Sequence, residues 1–332
     1  MQKRLLGSAK TSVSAIGLGC MGMSEFYGAT DDAQSHRTMA RALELGVNFF
    51  DSADIYGFGH NETLIGDFLK VGGPARRRQV VLATKFGIVR APGQYERRID
   101  NTPAYVQSAC DASLKRLGVE TIDLYYCHRR NPDVPVEDMV GAMAALVKAG
   151  KVKQLGLSEV SSATLRKACA VHPIAAVQSE YSLWAREPET DMLATCAQLG
   201  TTFVAYSPLG RAFLTGQLDT SALAANDFRK LLPRFAAAAE ATNQQLVDGL
   251  NRFAATKGVT NAQVALAWLL CKHPHVLPIP GTRRINYLEQ NAAAIDLVLT
   301  TADIAELDAL FAPSAIEGGR YPEAGMVGIE PG

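Results

Sequence analysis

Four polar side chains sit where apolar runs come to their ends. Asp51 lies in VNFFDSA, Tyr56 follows five residues later in FFDSADIYGFGHNE, Lys85 lies in VVLATKF, and His128 closes IDLYYCH. A carboxylate, a phenol, an ammonium and an imidazole are the groups with which proteins hold and move protons. Each alone has an ordinary reading: a strand-end lysine is usually solvated, a lone histidine is usually a satisfied core group, and Tyr56 fits a rim aromatic. Four of them from three successive runs, all at the same end, are harder to assign to packing. Whether Tyr56 packs or donates a proton depends on the elements that carry it.

Those elements repeat. Eight short runs rich in β-branched and aromatic residues span 14–20, 47–53, 80–86, 122–128, 153–159, 175–181, 202–209 and 276–282. Helix-like segments lie between them, and several open on Asp, Asn, Thr or Ser and close on Gly, as helix caps require. In PVEDMVGAMAALVKAGKV, Met139, Met143, Leu146 and Val147 fall at helical spacing and read as core. Eight strand–helix pairs in 332 residues predict one α/β domain over 1–332, a (β/α)8 TIM barrel. In such a barrel the C-terminal strand ends bring side chains from several strands to one mouth. Three additions are expected: a hairpin in QKRLLGSAKTSVS that plugs the bottom, an irregular loop over 210–260 with an extra helix near NQQLVDGLNRFAATKG, and a tail, RYPEAGMVGIEPG, without period.

Composition narrows the partners. Lysine plus arginine and aspartate plus glutamate are equal at 33 each, so no charge excess points to nucleic acid or an anionic membrane. The densest basic cluster, Arg76, Arg77 and Arg78, reads as a solvated turn before a strand. The six cysteines form no C-x-x-C pair and the six histidines show no metal spacing, which fits small buried thiols in a reducing compartment and no metal site. No run of eighteen apolar residues occurs, so a soluble, cytoplasmic protein is expected. Gly17, Gly19 and Gly22 spell G-x-G-x-x-G after a strand, the fingerprint of a Rossmann dinucleotide unit. In that unit the third glycine lies in a helix whose N-terminus faces the pyrophosphate. Here MSEFYGATDD intervenes and helical period resumes only near Asp31, so the motif reads as a decoy.

The segments FFDSADIYGFGHNE, LATKFG, DLYYCHR, GLSE, QSEYSLW, AYSPLGRAFLTG and IPGTRRINYLEQN, in this order and spacing, resemble the aldo-keto reductase superfamily from strand two to the helix after strand eight. The likeness is nearest to microbial and plant members that take small or aromatic aldehydes, pyridoxal-type reductases included. The resemblance implies Tyr56 as general acid, Lys85 and Asp51 as its supporting pair, His128 as the group that orients a carbonyl, and Asp54 as a brace of the loop. The chemistry agrees. Hydride addition to C=O builds negative charge on oxygen, which a proton or a fixed dipole must meet. A free phenol has a pKa of ~10, and an ammonium within ~4–6 Å is expected to lower it, each unit being worth ~1.4 kcal/mol.

No side chain transfers hydride, so a cofactor must. The resemblance implies a nicotinamide across the barrel mouth, with Ser158, Glu159 and Gln178 at its carboxamide and Tyr206 stacked on its ring. Gly19, Cys20 and Met21, at the end of the first strand, and Asp51 belong to the same implied set. Ser207, Pro208, Leu209, Gly210 and Arg211, with the loop to Gly216, resemble the segment over the pyrophosphate, and Ala212 stands where relatives commonly have glycine. Gly281, Thr282, Arg283, Gln290 and Asn291 match the adenosine end. Arg283 or Arg284 suits a 2′-phosphate, because a guanidinium forks onto phosphate, and this favours NADP(H). Glu159 stands where many members have Asn; as a carboxylate it either accepts from the carboxamide NH₂ or turns away.

Around the substrate the expected side chains are Tyr27, Phe58, Phe86, Arg129 and Trp184, with Arg320 and Tyr321 of the tail folding over. HRRNPD departs from the family's HR-x-D-P, so the turn after His128 is expected to differ in detail. The expected activity is NADPH-dependent reduction of aldehydes or ketones to alcohols by a monomer or homo-oligomer. The alternative is a nicotinamide-binding regulatory or redox-sensor subunit with slow turnover. A barrel enzyme of another class, such as an isomerase or lyase, would lack the tyrosine–lysine pair.

Overall fold

The chain begins as an antiparallel hairpin, β1 (Lys3–Leu6) and β2 (Thr11–Ser14). In this computed structural model residues 1–91, 97–225 and 227–331 are described. Leu6 and Val13 of the hairpin pack with Phe49, Ala83, Leu124, Tyr126 and Val204, which point inward from the strands that follow. The turn residue Gly7 has φ 60°, and a Cβ there would lie 2.6 Å from that of Ala175. The hairpin thus plugs the closed end, as expected.

The ring is built from β3 (Leu18–Gly19), β4 (Phe49–Asp51), β5 (Val81–Phe86), then, after a small antiparallel pair β6 (Ile88–Val89) and β7 (Arg98–Ile99), from β8 (Ile122–Cys127), β9 (Val152–Ser158), β10 (Ile174–Glu180), β11 (Thr202–Tyr206) and β12 (Val276–Pro278). The eight ring strands lie parallel in chain order. Gly17 N donates to Pro278 O at 2.9 Å and Gly19 N to Pro280 O at 3.2 Å, so the first strand meets the last and the barrel closes. A Cβ on Gly17 would stand 2.7 Å from Phe49 Cδ1, and one on Gly19 would stand 2.8 Å from Ile279 O. The first two glycines of the G-x-G-x-x-G decoy therefore permit this close seam. All six residues of β8 are buried, as in any strand filled on one face and covered by helices on the other.

The covering helices are α1 (Asp32–Glu44), α2 (His60–Gln79), α3 (Pro103–Leu117), α4 (Val136–Lys148), α5 (Ser162–Val171), α6 (Met192–Leu199), α7 (Ala237–Lys257), α8 (Asn261–Lys272), α9 (Ile285–Ala293), α10 (Thr301–Leu310) and the short α11 (Glu323–Met326). Their ends follow local chemistry. Asp31 and Ser161 accept from Gln34 N and Thr164 N, Thr260 and Gln263 close a capping box, and Gly118, Gly200 and Gly258 end helices in the left-handed conformation. The extra helix of the 210–260 segment is α7, which starts earlier than the NQQ motif, at Ala237.

One expectation changes, and two features are added. The arginine run is no solvated turn: it forms the last turn of α2, where Arg76 donates to Phe68 O at 2.6 Å and Arg77 pairs with Asp123 at 2.8 Å. Helix α10 was not anticipated, although Thr300 and Asp303 form its capping box. The aperiodic tail is held down by long-range polar contacts: Arg320 to Glu159 at 2.7 Å, Arg130 to Glu330 at 2.9 Å, and Glu330 N to Glu159 O at 2.9 Å. Among the described residues no helix is long and apolar enough to cross a membrane.

Candidate active site

A cavity of about 570 Å³ opens at the C-terminal ends of the strands, and Tyr56 and His128 both line it. Asp51 arrives on the last residue of β4 and Lys85 near the end of β5, so neighbouring parallel strands set their separation. Tyr56 is carried by a tight turn after β4 in which Gly57 and Phe58 both take positive φ. That turn is tied back by Asp54 N to Lys85 O at 3.0 Å, which makes the backbone of Asp54 the brace. Lys85 is fully buried and ion-paired with Asp51, and it donates to Ser52 O at 2.7 Å and to Tyr56 Oη at 3.4 Å. Gln178 Nε2 donates to the other Asp51 oxygen at 2.8 Å. The rings of Tyr56 and His128 meet edge to face with centroids 5.8 Å apart. The four side chains form one cluster.

Burial and charge act on them in opposite senses. Burial alone would lower the Lys85 pKa, but Asp51 and the phenol outweigh it and hold the ammonium above its ordinary value. Burial raises the Tyr56 phenol, and Lys85 only partly offsets this. The expected downward shift at Tyr56 is thus reversed, because desolvating a phenolate costs more than the ammonium, itself neutralised by Asp51, returns. His128 is held well below the ordinary histidine value by burial, then by Lys85 and Arg129, so the imidazole is neutral. Its Nδ1 is buried without a hydrogen-bond partner. A neutral imidazole beside a phenol can offer an N–H to a carbonyl oxygen and leave the proton to the tyrosine.

The residues expected around a cofactor fall mostly on the same cavity. Gly19, Cys20 and Met21 line it at the end of β3, and Ser158 and Gln178 at the ends of β9 and β10. Tyr206, Ser207, Pro208, Leu209 and Arg211 form the wall after β11; Gly281, Thr282, Arg283, Gln290 and Asn291 form the far end after β12. Gly210 and Gly216 do not line the cavity. Gly210 lies under Trp184, where a Cβ would stand 2.6 Å from the indole, and Gly216 lies against Asn251 and Asn261. Glu159 turns away: Oε1 accepts from Glu180 N at 3.2 Å, and Oε2 takes Arg320. Arg283 is engaged as well, donating to Tyr27 O at 2.6 Å and Ala29 O at 2.7 Å, whereas its neighbour Arg284 is exposed.

Of the side chains expected at the substrate, Tyr27 and Arg129 line the cavity and Tyr321 of the tail joins them, its hydroxyl 3.0 Å from that of Tyr206. Phe58, Phe86 and Trp184 do not. Phe58 is 44 % exposed under Arg90, Phe86 is stacked on Tyr125 in the layer beneath the helices, and Trp184 is buried against Phe213. The sequence reading passed over Phe26, Ile55, Ile88, Arg90, Arg97 and Arg229, all on the cavity wall. Arg90 directly follows β6 and Arg97 directly precedes β7, in the segment after β5. Their place between a ring strand and its helix was the available signal, because that position faces the mouth.

The sequence profile of the aldo/keto reductase family matches residues 15–312. The chain belongs to the aldo/keto reductase family. A family member from Schizosaccharomyces pombe, the NADP(+) aldo-keto reductase yakc, is 41% identical over 315 residues, covering 94% of this chain and 92% of its own. Among solved members, a glycerol dehydrogenase from Gluconobacter oxydans superposes with a TM-score of 0.84 at 26% identity, over 94% of this chain and 96% of that one. A family member from Klebsiella pneumoniae, solved with NADP and acetate, gives 0.73 at 29% identity over 97% and 99%. Among the described residues no group of His, Cys, Asp and Glu is arranged to hold a metal ion, and the six cysteines are free thiols.

Proposed function

We propose that the protein is an NADPH-dependent reductase of aldehydes or ketones in which Tyr56 gives the proton to the nascent alcohol. The observation that carries this reading is the Lys85 ammonium 3.4 Å from the Tyr56 hydroxyl, backed by Asp51, at the wall of a cavity that continues to Thr282 and Gln290. That cavity has the size of a small-molecule site.

The residues present fit a nicotinamide dinucleotide. Gln178 uses its NH₂ on Asp51, which leaves its carbonyl oxygen to accept from a carboxamide, and Ser158 stands on the adjoining strand end. The Tyr206 ring offers a flat face, Ser207 and Arg229 offer polar and cationic groups, and the exposed Arg284 is the guanidinium open to a 2′-phosphate. When bound, the cofactor supplies the hydride. The chain's own groups do the rest. His128 and the Tyr56 hydroxyl receive the carbonyl oxygen and fix its angle. As negative charge grows there, Tyr56 releases its proton to that oxygen. Lys85, already an ammonium, then meets the phenolate left behind, so the negative charge passed from the oxygen to Tyr56 is balanced without water.

Purified protein should consume NADPH with simple aldehydes, followed by absorbance. Tyr56→Phe should lower kcat by about 10²–10⁴-fold, the usual worth of positioned acid catalysis, while NADPH affinity persists. Unchanged turnover in that variant rejects Tyr56 as the donor. NADPH binding with no turnover on any carbonyl, in the wild type, would instead favour a sensor.

A further inference from the structure

Arg129, the residue after His128, is 4 % exposed and lines the cavity. Its Nη1 donates to His128 O at 2.8 Å and to Ser158 Oγ at 3.2 Å, its Nε is buried without a partner, and among the described residues no carboxylate lies within ion-pair distance. Acids around the mouth are engaged elsewhere: Asp51 with Lys85, Glu159 with Arg320, Glu180 with Arg211, Glu25 with Arg90 and Glu330 with Arg130. A guanidinium taken from water without a counter-charge is costly, and an orphaned buried donor calls for a ligand. On the reading above, the carboxamide end beside Ser158 is neutral. The phosphate-holding segments follow β11 and β12. Arg129 follows β8, three strands round the ring from β11 and four from β12, where those segments begin.

We infer that Arg129 receives an oxyanion on the substrate, so that the preferred carbonyl compound carries a carboxylate or phosphate group. This rests on the reading of the cavity as a carbonyl-reducing site. Guanidinium suits such a group because two parallel N–H donors match two oxygens, and the bond is charge-assisted at both ends. Arg97, just before β7, lines the same cavity.

The test separates binding from turnover. In the NADP⁺-loaded protein, calorimetry compares benzoate and phenyl phosphate with neutral benzamide. At least one anion should bind about tenfold or more tightly than the amide, a difference of ~1.4 kcal/mol. Arg129→Met should bring the anion and the amide to nearly equal affinity, and Arg129→Lys, which keeps the charge but loses the fork, should fall between. In the reaction, 4-carboxybenzaldehyde should exceed its methyl ester by a similar factor in kcat/KM, chiefly through KM. Equal affinity of anions and amide in the wild type overturns the inference, as does an anion preference that survives in Arg129→Met. Should the methionine variant fail to fold, a lysine variant indistinguishable from wild type overturns it too. If neither aldehyde is reduced yet Arg129-dependent anion binding remains, the proposed function fails and the anion site at Arg129 stands without it. If only the ester is reduced, the reverse holds.

Discussion

At the Tyr56 phenol two forces of opposite sign meet: burial, which penalises phenolate, and the ammonium of Lys85, which favours it. Burial prevails, so the donor keeps its proton across the neutral range and into alkali. His128, held far below its ordinary value, stays neutral over the same range. Reductive kcat/KM is therefore expected to be flat from about pH 6.5 to about pH 10, the ordinary histidine and tyrosine values. A one-proton break near the lower figure, measured with saturating NADPH, would mean that His128 titrates and that its environment is wetter than the structure has it. Asp51, Lys85 and His128 were legible in the sequence because each lies at the end of an apolar run, and Tyr56 because it follows Asp51 in the loop after one. The sign of the shift at Tyr56 was not, because it depends on how completely Asp51 neutralises Lys85. Glu159 was left open between two partners, and the choice falls to an arginine 161 residues away.

At the scale of elements, the region after β12 is clasped to the region after β3. Arg283 donates to the carbonyls of Tyr27, Gly28 and Ala29, Thr38 Oγ1 on α1 donates back to Arg283 O at 2.8 Å, and Arg41 pairs with Glu289 at 2.8 Å. With Arg283 committed to backbone oxygens, Arg284 becomes the candidate for a 2′-phosphate. Arg284→Ala should weaken NADPH about tenfold with little effect on NADH, the loss expected for one charge-assisted bond. Arg283→Ala should weaken both alike by freeing the 22–29 segment. Fluorescence titration of the two nucleotides reads this directly, and selective loss of NADPH in Arg283→Ala would reverse the assignment. Strands and caps were readable because they follow from local pattern. The β6–β7 pair and the order of the tail were not, since both depend on contacts with distant parts of the chain.

At the scale of the molecule, an ionic knot joins the outer wall. Glu189 accepts from Arg186 at 2.6 Å, Lys272 of α8 at 2.8 Å and Tyr181 Oη at 2.7 Å, and Arg186 reaches Asp308 of α10 at 3.0 Å. Burial pushes the Glu189 carboxyl up, but these donors outweigh it and hold the pKa down to about 2. A carboxyl depressed in the folded state adds stability above its unfolded value of ~4.3, and that contribution is lost as pH falls toward the folded value. Glu189→Gln should therefore cost stability at neutral pH and flatten the fall between about pH 4.5 and about pH 2, followed by urea unfolding across that range. Parallel curves for variant and wild type would remove Glu189 from the acid response.

The seam between Gly17, Gly19 and the last strand is held by few bonds. Pro278 and Pro280 accept from β3 but have no N–H to return. Gly19 and Gly281, on either side of that joint, both border the cavity. A ligand spanning both would act as a stitch across that suture. Thermal resistance is then expected to rise with occupancy, as for any ligand that binds only the folded chain.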